Sequence, residues 1–195
     1  MPTSPPRPTA SPRPSRPSSS RRGQLATPQD RIVLEPLTAE DWPAASGIYE
    51  AGIGGGNATF EPSAPSWEQF AGKCAGYPAL AAHGEDGALL GWAALSPVSQ
   101  RTVYRGVGAV SIYVDPREAR KGVGRTLLEG LIARAENAGL WTLEAGIFPE
   151  NRASISLHEA CGFRHVGVRE RVGQMPDGRW RDVCLLERRS STVGI

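Results

Sequence analysis

From Ser111 the chain reads Ser-Ile-Tyr-Val-Asp-Pro, turns through Arg117-Glu118-Ala119-Arg120-Lys121-Gly122-Val123-Gly124-Arg125-Thr126, and then changes period. Val123, Leu127, Leu128, Leu131 and Ala135 fall on one face of a helix that Gly139 stops. This is a strand, a basic glycine-containing turn and an amphipathic helix. The apolar stripe of such a helix has to be buried against another element, and the strands and helices along the chain order as one mixed domain. The turn itself is suited to an anion, because free backbone N–H groups at a helix start, approached closely through glycines, make a phosphate site. A nucleotide P-loop would need glycine at Ala119 and lysine at Arg125. The dinucleotide fingerprint fails as well, since Leu127 stands where its last glycine is required.

The remaining segments agree with a mixed domain. Arg31–Leu37 suits a first strand; Thr38, with Asp41 three residues on, is the expected N-cap of a helix that reaches about Ala51 and ends at Gly52. Gly54-Gly55-Gly56 reads as loop, and Ser66-Trp67-Glu68 opens a second short helix. Pro78–His83 and Ala88–Leu95, joined by Gly84-Glu85-Asp86-Gly87, predict a hairpin. Val103–Asp115 predicts one long strand and Trp141–Phe148 another. A helix starts at Asn151 or Ser154 and ends at Gly162, and Phe163–Val172 with Trp180–Glu187 form a closing hairpin, with Trp180 and Asp182 as its anchors.

Charge and composition divide the 195 residues unevenly. The first 22 hold five arginines and no acid, which leaves 17 basic against 20 acidic groups in the body, a net charge of −3 under a total of +2. Eight of the 17 prolines fall within the first 28 residues. Residues 1–28 are therefore expected to be a disordered Pro/Ser/Arg-rich tail, 29–190 a single domain, and 191–195 a short C-terminal tail. An acidic body argues against nucleic acid as partner, and no apolar run approaches the ~20 residues needed to span a membrane. Cys74, Cys161 and Cys184 are too few and scattered for a disulfide framework or a zinc site, so no metal and a cytoplasmic location are expected.

Gly122 and Gly124 fit the [QR]xxGx[GA] pyrophosphate turn of the GNAT superfamily of N-acetyltransferases, though Ala119 occupies its first position. One strand further on, Asn151-Arg152-Ala153-Ser154-Ile155-Ser156-Leu157-His158-Glu159-Ala160-Cys161-Gly162-Phe163 resembles the superfamily's NxxSxxLHExxGF segment. Ala58-Thr59-Phe60-Glu61, Arg101-Thr102-Val103-Tyr104 and Gly178-Arg179-Trp180-Arg181-Asp182-Val183 resemble its phosphinothricin / L-amino-acid N-acetyltransferase branch. The resemblance spans about Arg31 to Arg188. It implies an α/β (α+β) fold with a mixed, mostly antiparallel, splayed sheet flanked by helices, acetyl-CoA as donor, a small amino acid or amino-acid-like toxin as acceptor, and a homodimer. It further implies that Ile112, Tyr113 and Val114 offer backbone groups to the pantetheine arm. Arg120, Lys121, Gly122, Val123, Gly124 and Arg125 would hold the pyrophosphate, with Asn151 and Ser154 beside the pantetheine. On the acceptor side it implies Arg101 as grip for a carboxylate, with Phe60 and Tyr104 as pocket walls.

Acetyl transfer needs a proton taken from an amine of pKa ~8 or above, and a thiolate, of thiol pKa ~8.5, helped to leave. His158 stands where the resemblance places a proton-handling group, and an imidazole near ~6.5 serves either task. A core histidine packed on the sheet is the plain alternative. The sequence departs from the branch at Ala109, where a glutamate is usual, and at Ser99, where a second cation is common. Glu61, Glu144 and Glu159 are the candidate substitutes for the missing carboxylate. A rival reading follows from the same departure: an acyl-CoA-binding or sensing protein weakened in catalysis.

Overall fold

The computed structural model describes residue 1 and residues 32–195; the tail expected over residues 1–28 lies, Met1 apart, outside them. Seven strands and four helices follow in the order β1 (Val33–Pro36), α1 (Trp42–Gly54), α2 (Trp67–Lys73), β2 (Ala79–His83), β3 (Leu89–Pro97), β4 (Val107–Val114), α3 (Val123–Asn137), β5 (Thr142–Ile147), α4 (Arg152–Ala160), β6 (Arg164–Gln174) and β7 (Trp180–Arg189). They form one sheet of order β1-β2-β3-β4-β5-β7-β6, antiparallel except for the β4–β5 pair.

Strand alternation sorts the core into two layers. Leu80 and Ala82 of β2 and Ala93 and Leu95 of β3 pack with Leu127, Leu128 and Leu131 of α3. Ala81, Trp92 and Ala94, on the other face, pack with Trp42, Ala45 and Tyr49 of α1 and Phe70 of α2. Trp92 also donates its indole N–H to the Ala45 carbonyl at 3.0 Å, so this large buried side chain leaves no polar atom unpaired.

Thr38 does not cap α1: its N–H and hydroxyl both donate to Asp41 Oδ2 at 2.9 Å, closing a turn, and the helix begins at Trp42. Nor does Gly52 end that helix, which runs to Gly54; a Cβ at Gly52 would stand 2.9 Å from the Tyr113 ring, so close packing explains the glycine. The long strand expected from Val103 begins at Val107, after a single 3₁₀ turn over Thr102–Tyr104. Val103 and Tyr104 are apolar in type but 63% and 43% exposed, so they belong to no buried strand face. Trp180 is 59% exposed and makes no ring contact among the described residues. Asp182 does anchor the hairpin, accepting the Arg171 N–H at 2.7 Å where β6 bulges and Arg171 adopts φ 44°. The last residues fold back, with Ser190 N–H donating to the Trp141 carbonyl and Arg189 Nη1 to that of Val193.

Candidate active site

β4 and β5 pair over only three residues, Val107 to Ala109 against Thr142 to Glu144, and then diverge. Asp115 N–H bonds the Leu90 carbonyl at 2.9 Å; since an antiparallel ladder alternates, the odd residues of β4 bond β3. The Val110 carbonyl and the backbone groups of Ile112 and Val114 therefore face the gap, the Val110 N–H being used by the last β4–β5 pair. Tyr113 does not offer its backbone there; it contributes its ring, stacked on Trp92 at 4.8 Å. Burial, reinforced by the neighbouring Tyr49, pushes the Tyr113 phenol far up, so it stays protonated at any physiological pH.

The gap opens into a cleft of about 460 Å³ lined by Val110–Tyr113, Ala145–Phe148, the loop Asn57–Glu61, Asn151, Ser154 and His158, and by Arg169, Val172 and Gly173 of β6. Phe60 packs edge-on against Phe148 at 4.8 Å and lies so near β6 that a Cβ on Gly173 would fall 2.5 Å from its ring. Arg181 fixes the loop from below. Its guanidinium donates to the Gly56 carbonyl, to Asn57 Oδ1 and to Glu150 Oε2 at 2.9–3.0 Å, and lies 4.1 Å from the Phe148 ring centre.

Asn151 works at the seam of loop and helix. Its Oδ1 accepts the Ser154 N–H, capping α4, and its Nδ2 donates to the Asn57 carbonyl, both at 3.1 Å. One turn on, His158 Nδ1 stands 2.8 Å from the Ser154 carbonyl and so must carry the proton. His158 is 1% exposed, packs edge-on to Phe163, and its Nε2 is buried with no hydrogen-bond partner among the described residues. Burial pushes its pKa below 6.5, against the opposing pull of the Ser154 carbonyl, leaving a neutral imidazole with a bare acceptor. A buried unpaired acceptor costs about 1–3 kcal/mol, so Nε2 is the atom of this ring able to take a further hydrogen bond.

The basic turn lies at the start of α3. Arg120 (φ 65°) and Gly122 (φ 91°) are left-handed, and the first-turn N–H groups from Gly122 to Arg125 have no carbonyl within the helix to bond. Gly124 serves packing: a Cβ there would stand 3.2 Å from Leu157 and 3.6 Å from Val114. Lys121 pairs with Glu118 at 3.1 Å and Arg125 with Glu129 at 2.8 Å, exposed contacts that cost little to exchange for another anion. Arg117 is held by Asp115.

Residues 39–163 match the acetyltransferase (GNAT) family profile. The chain belongs to the GNAT family. Relatives include the phosphinothricin N-acetyltransferase of Alcaligenes faecalis, 36% identical over 187 residues that cover 93% of this chain and 94% of the relative. An L-methionine sulfoximine/L-methionine sulfone acetyltransferase of Pseudomonas paraeruginosa is 38% identical over 112 residues, 57% of this chain and 64% of the relative. The crystal structure of a GNAT phosphinothricin acetyltransferase from Sinorhizobium meliloti, in complex with AcCoA, superposes with a TM-score of 0.77 at 31% identity, covering 84% of this chain and 91% of that one. The mixed, mostly antiparallel sheet expected from the GNAT resemblance is the one observed.

The structure thus brings Phe60, Ile112, Tyr113, Asn151, Ser154 and His158 to one GNAT cleft. Arg101 and Tyr104 stand on the loop between β3 and β4, where the guanidinium lies 5.7 Å from the Tyr104 ring, and line neither this cleft nor the cavity beside it. Of the carboxylates weighed as substitutes, Glu159 is held by His165 at 2.9 Å, Glu144 lines neither cavity, and Glu61 lines both. Sequence reasoning missed Tyr49, Lys73 and Arg169 as lining residues and Arg181 as the loop clamp. They come from α1, α2 and the β6–β7 hairpin; only Arg181 lies inside one of the motifs quoted above.

Proposed function

We propose that this chain transfers the acetyl group of acetyl-CoA directly to the amine of a small amino acid or amino-acid-like toxin. The observation that carries this reading is the divergence of β4 from β5, which leaves the Val110 carbonyl and the backbone groups of Ile112 facing a cleft that His158 lines, with Val114 further along the same free edge. These residues fit acetyl-CoA: an extended chain of amides can bond the free edge of β4 as a strand would, and the turn from Arg120 to Arg125 offers N–H groups and cations to its pyrophosphate. Ser154 and Asn151 stand beside that path, and Phe60 walls it.

When bound, acetyl-CoA supplies an activated acyl thioester whose thiol is the leaving group. The acceptor ammonium gives up two protons overall, one to the departing thiolate and one to solvent. In this reading His158 handles a proton, accepting it at Nε2 while Nδ1–H stays on the Ser154 carbonyl. Position supplies much of the remaining acceleration, which is why a methyl at Ala109 is compatible with turnover. The relatives' names support an enzyme over a sensor.

The same reading includes a homodimer in the cytoplasm. Its supports are the long edge strand β6 with Val166 and Val168 about half exposed, and three free cysteines, as a reducing compartment keeps them. Thiol release from acetyl-CoA, followed with phosphinothricin, L-methionine sulfone, L-methionine sulfoximine and the common amino acids, tests the activity. Release that depends on the amine is expected. If acetyl-CoA binds and no amine raises release above hydrolysis, the enzyme reading falls.

A further inference from the structure

Beside the cleft lies a second cavity of about 240 Å³, and the two share Tyr49, Glu61, Lys73 and Ser111. Its floor is aromatic, built from Phe70 and Trp92, which pack edge-on at 5.4 Å. Ser96 and Ser111 bound it on the sheet side. Ser96 pairs with Ala109, and Ser111 is two residues further along the same face of β4, so the cavity lies on the face to which residue 109 presents its side chain. That side chain is a methyl and brings no charge.

Two charged side chains stand at the seam instead. Glu61 is the one acid among the residues lining either cavity. Lys73 ends α2, whose start is locked by the reciprocal Ser66–Gln69 capping box. Neither the Glu61 carboxylate nor the Lys73 ammonium has a hydrogen-bond or ion-pair partner among the described residues, while Lys121 and Arg125 each hold an acid. An acid and a base, both exposed and unpaired at the junction above an aromatic floor, form the complement of an α-amino acid zwitterion with an uncharged side chain.

We propose that this second cavity is the acceptor subsite: Glu61 holds the α-ammonium, Lys73 holds the α-carboxylate, and the side chain rests on Phe70 and Trp92. The assignment deepens the acetyltransferase reading and rests on it for the identity of the reaction, though not for binding. It moves carboxylate recognition from Arg101, which lines neither cavity, to a lysine on α2. Arg169 lines the cleft from β6 without reaching the second cavity and is the competing cation.

The test compares L-methionine sulfone with its methyl ester, which keeps the amine and loses the carboxylate charge. Lys73→Met is expected to raise KM for the free acid on the order of 10- to 100-fold, as loss of a charge-assisted contact does, and to leave the ester within about twofold. Glu61→Gln is expected to weaken both. A lysine that only complements the C-terminal end of α2 would change thermal stability and not the acid-to-ester ratio. Calorimetric titration of the full chain with L-methionine sulfone in the presence of CoA reads the same loss without turnover. If the chain binds the amino acid, Lys73→Met abolishes binding and no acetyl transfer occurs, the subsite stands and the acetyltransferase reading falls. If the chain does not bind it, or if Arg101→Ala or Arg169→Met shifts the acid-to-ester ratio while Lys73→Met does not, the subsite is overturned.

Discussion

His158 shows how one residue can be part of the core and of the site together. Its ring fills space against Phe163, and its Nδ1–H is tied to its own helix, yet Nε2 is left bare. His158→Met keeps the volume and removes the orphan acceptor. It should leave stability at neutral pH equal or higher, while lowering turnover about 10²- to 10⁴-fold, the usual range for a lost proton-transfer group. The pH dependence has a definite sign. Burial lowers the folded-state pKa below 6.5, so the unfolded chain binds the proton more readily. The stability from this group is complete above 6.5 and is lost as pH falls through the folded-state value. Melting temperatures recorded across that acid range should decline less steeply in His158→Met than in the parent chain; parallel curves would remove the group from the titration.

At the scale of elements, the clamp under the cleft loop is open to test. Arg181 reaches three acceptors on two different segments and stacks on Phe148, a task that uses the planar fork of a guanidinium. Arg181→Lys should therefore behave almost as Arg181→Met. Both should cost about 1–3 kcal/mol in denaturant unfolding and raise KM for acetyl-CoA, because Phe60 rides on the loop that is released. A lysine variant with parent-like stability and KM would show that charge alone suffices. This element scale is also where the sequence was most and least legible. The α3 stripe, both hairpins and the Ser66 cap were read from period and turn chemistry, which are local properties. The Thr102–Tyr104 turn was not, because Val103 and Tyr104 mimic a strand in residue type while lying on the surface. The turn at Gly122 and the Asn151–Ser154 start of α4 were legible for the same local reason. Glu61, Lys73 and Arg169 meet only after the sheet has formed, and nothing in their flanking residues marks them.

For the whole molecule, the two packed layers meet along a sheet whose middle is joined by only three residue pairs. A ligand bound there stabilises the chain by mass action and also by linking the halves. At 100 times its Kd, acetyl-CoA should add about 2.7 kcal/mol to unfolding, and CoA at that same concentration somewhat less if the acetyl group makes contacts of its own. Calorimetric melts at rising ligand concentration measure this; a melting temperature indifferent to acetyl-CoA would exclude specific binding in the cleft.

The free edge of β4 also sets the tempo at which its amides trade hydrogen with water. Ile112 and Val114 lie in the middle of the sheet, where protection is ordinarily greatest, yet their N–H groups face a gap with no strand across it, the Val110 N–H being the last that the Ala109–Glu144 pair engages. Without ligand those of Ile112 and Val114 should exchange deuterium like a surface loop, while the N–H groups of Val110, Ser111 and Tyr113 stay slow. Alternate fast and slow amides along one central strand would thus report occupancy of the cleft residue by residue.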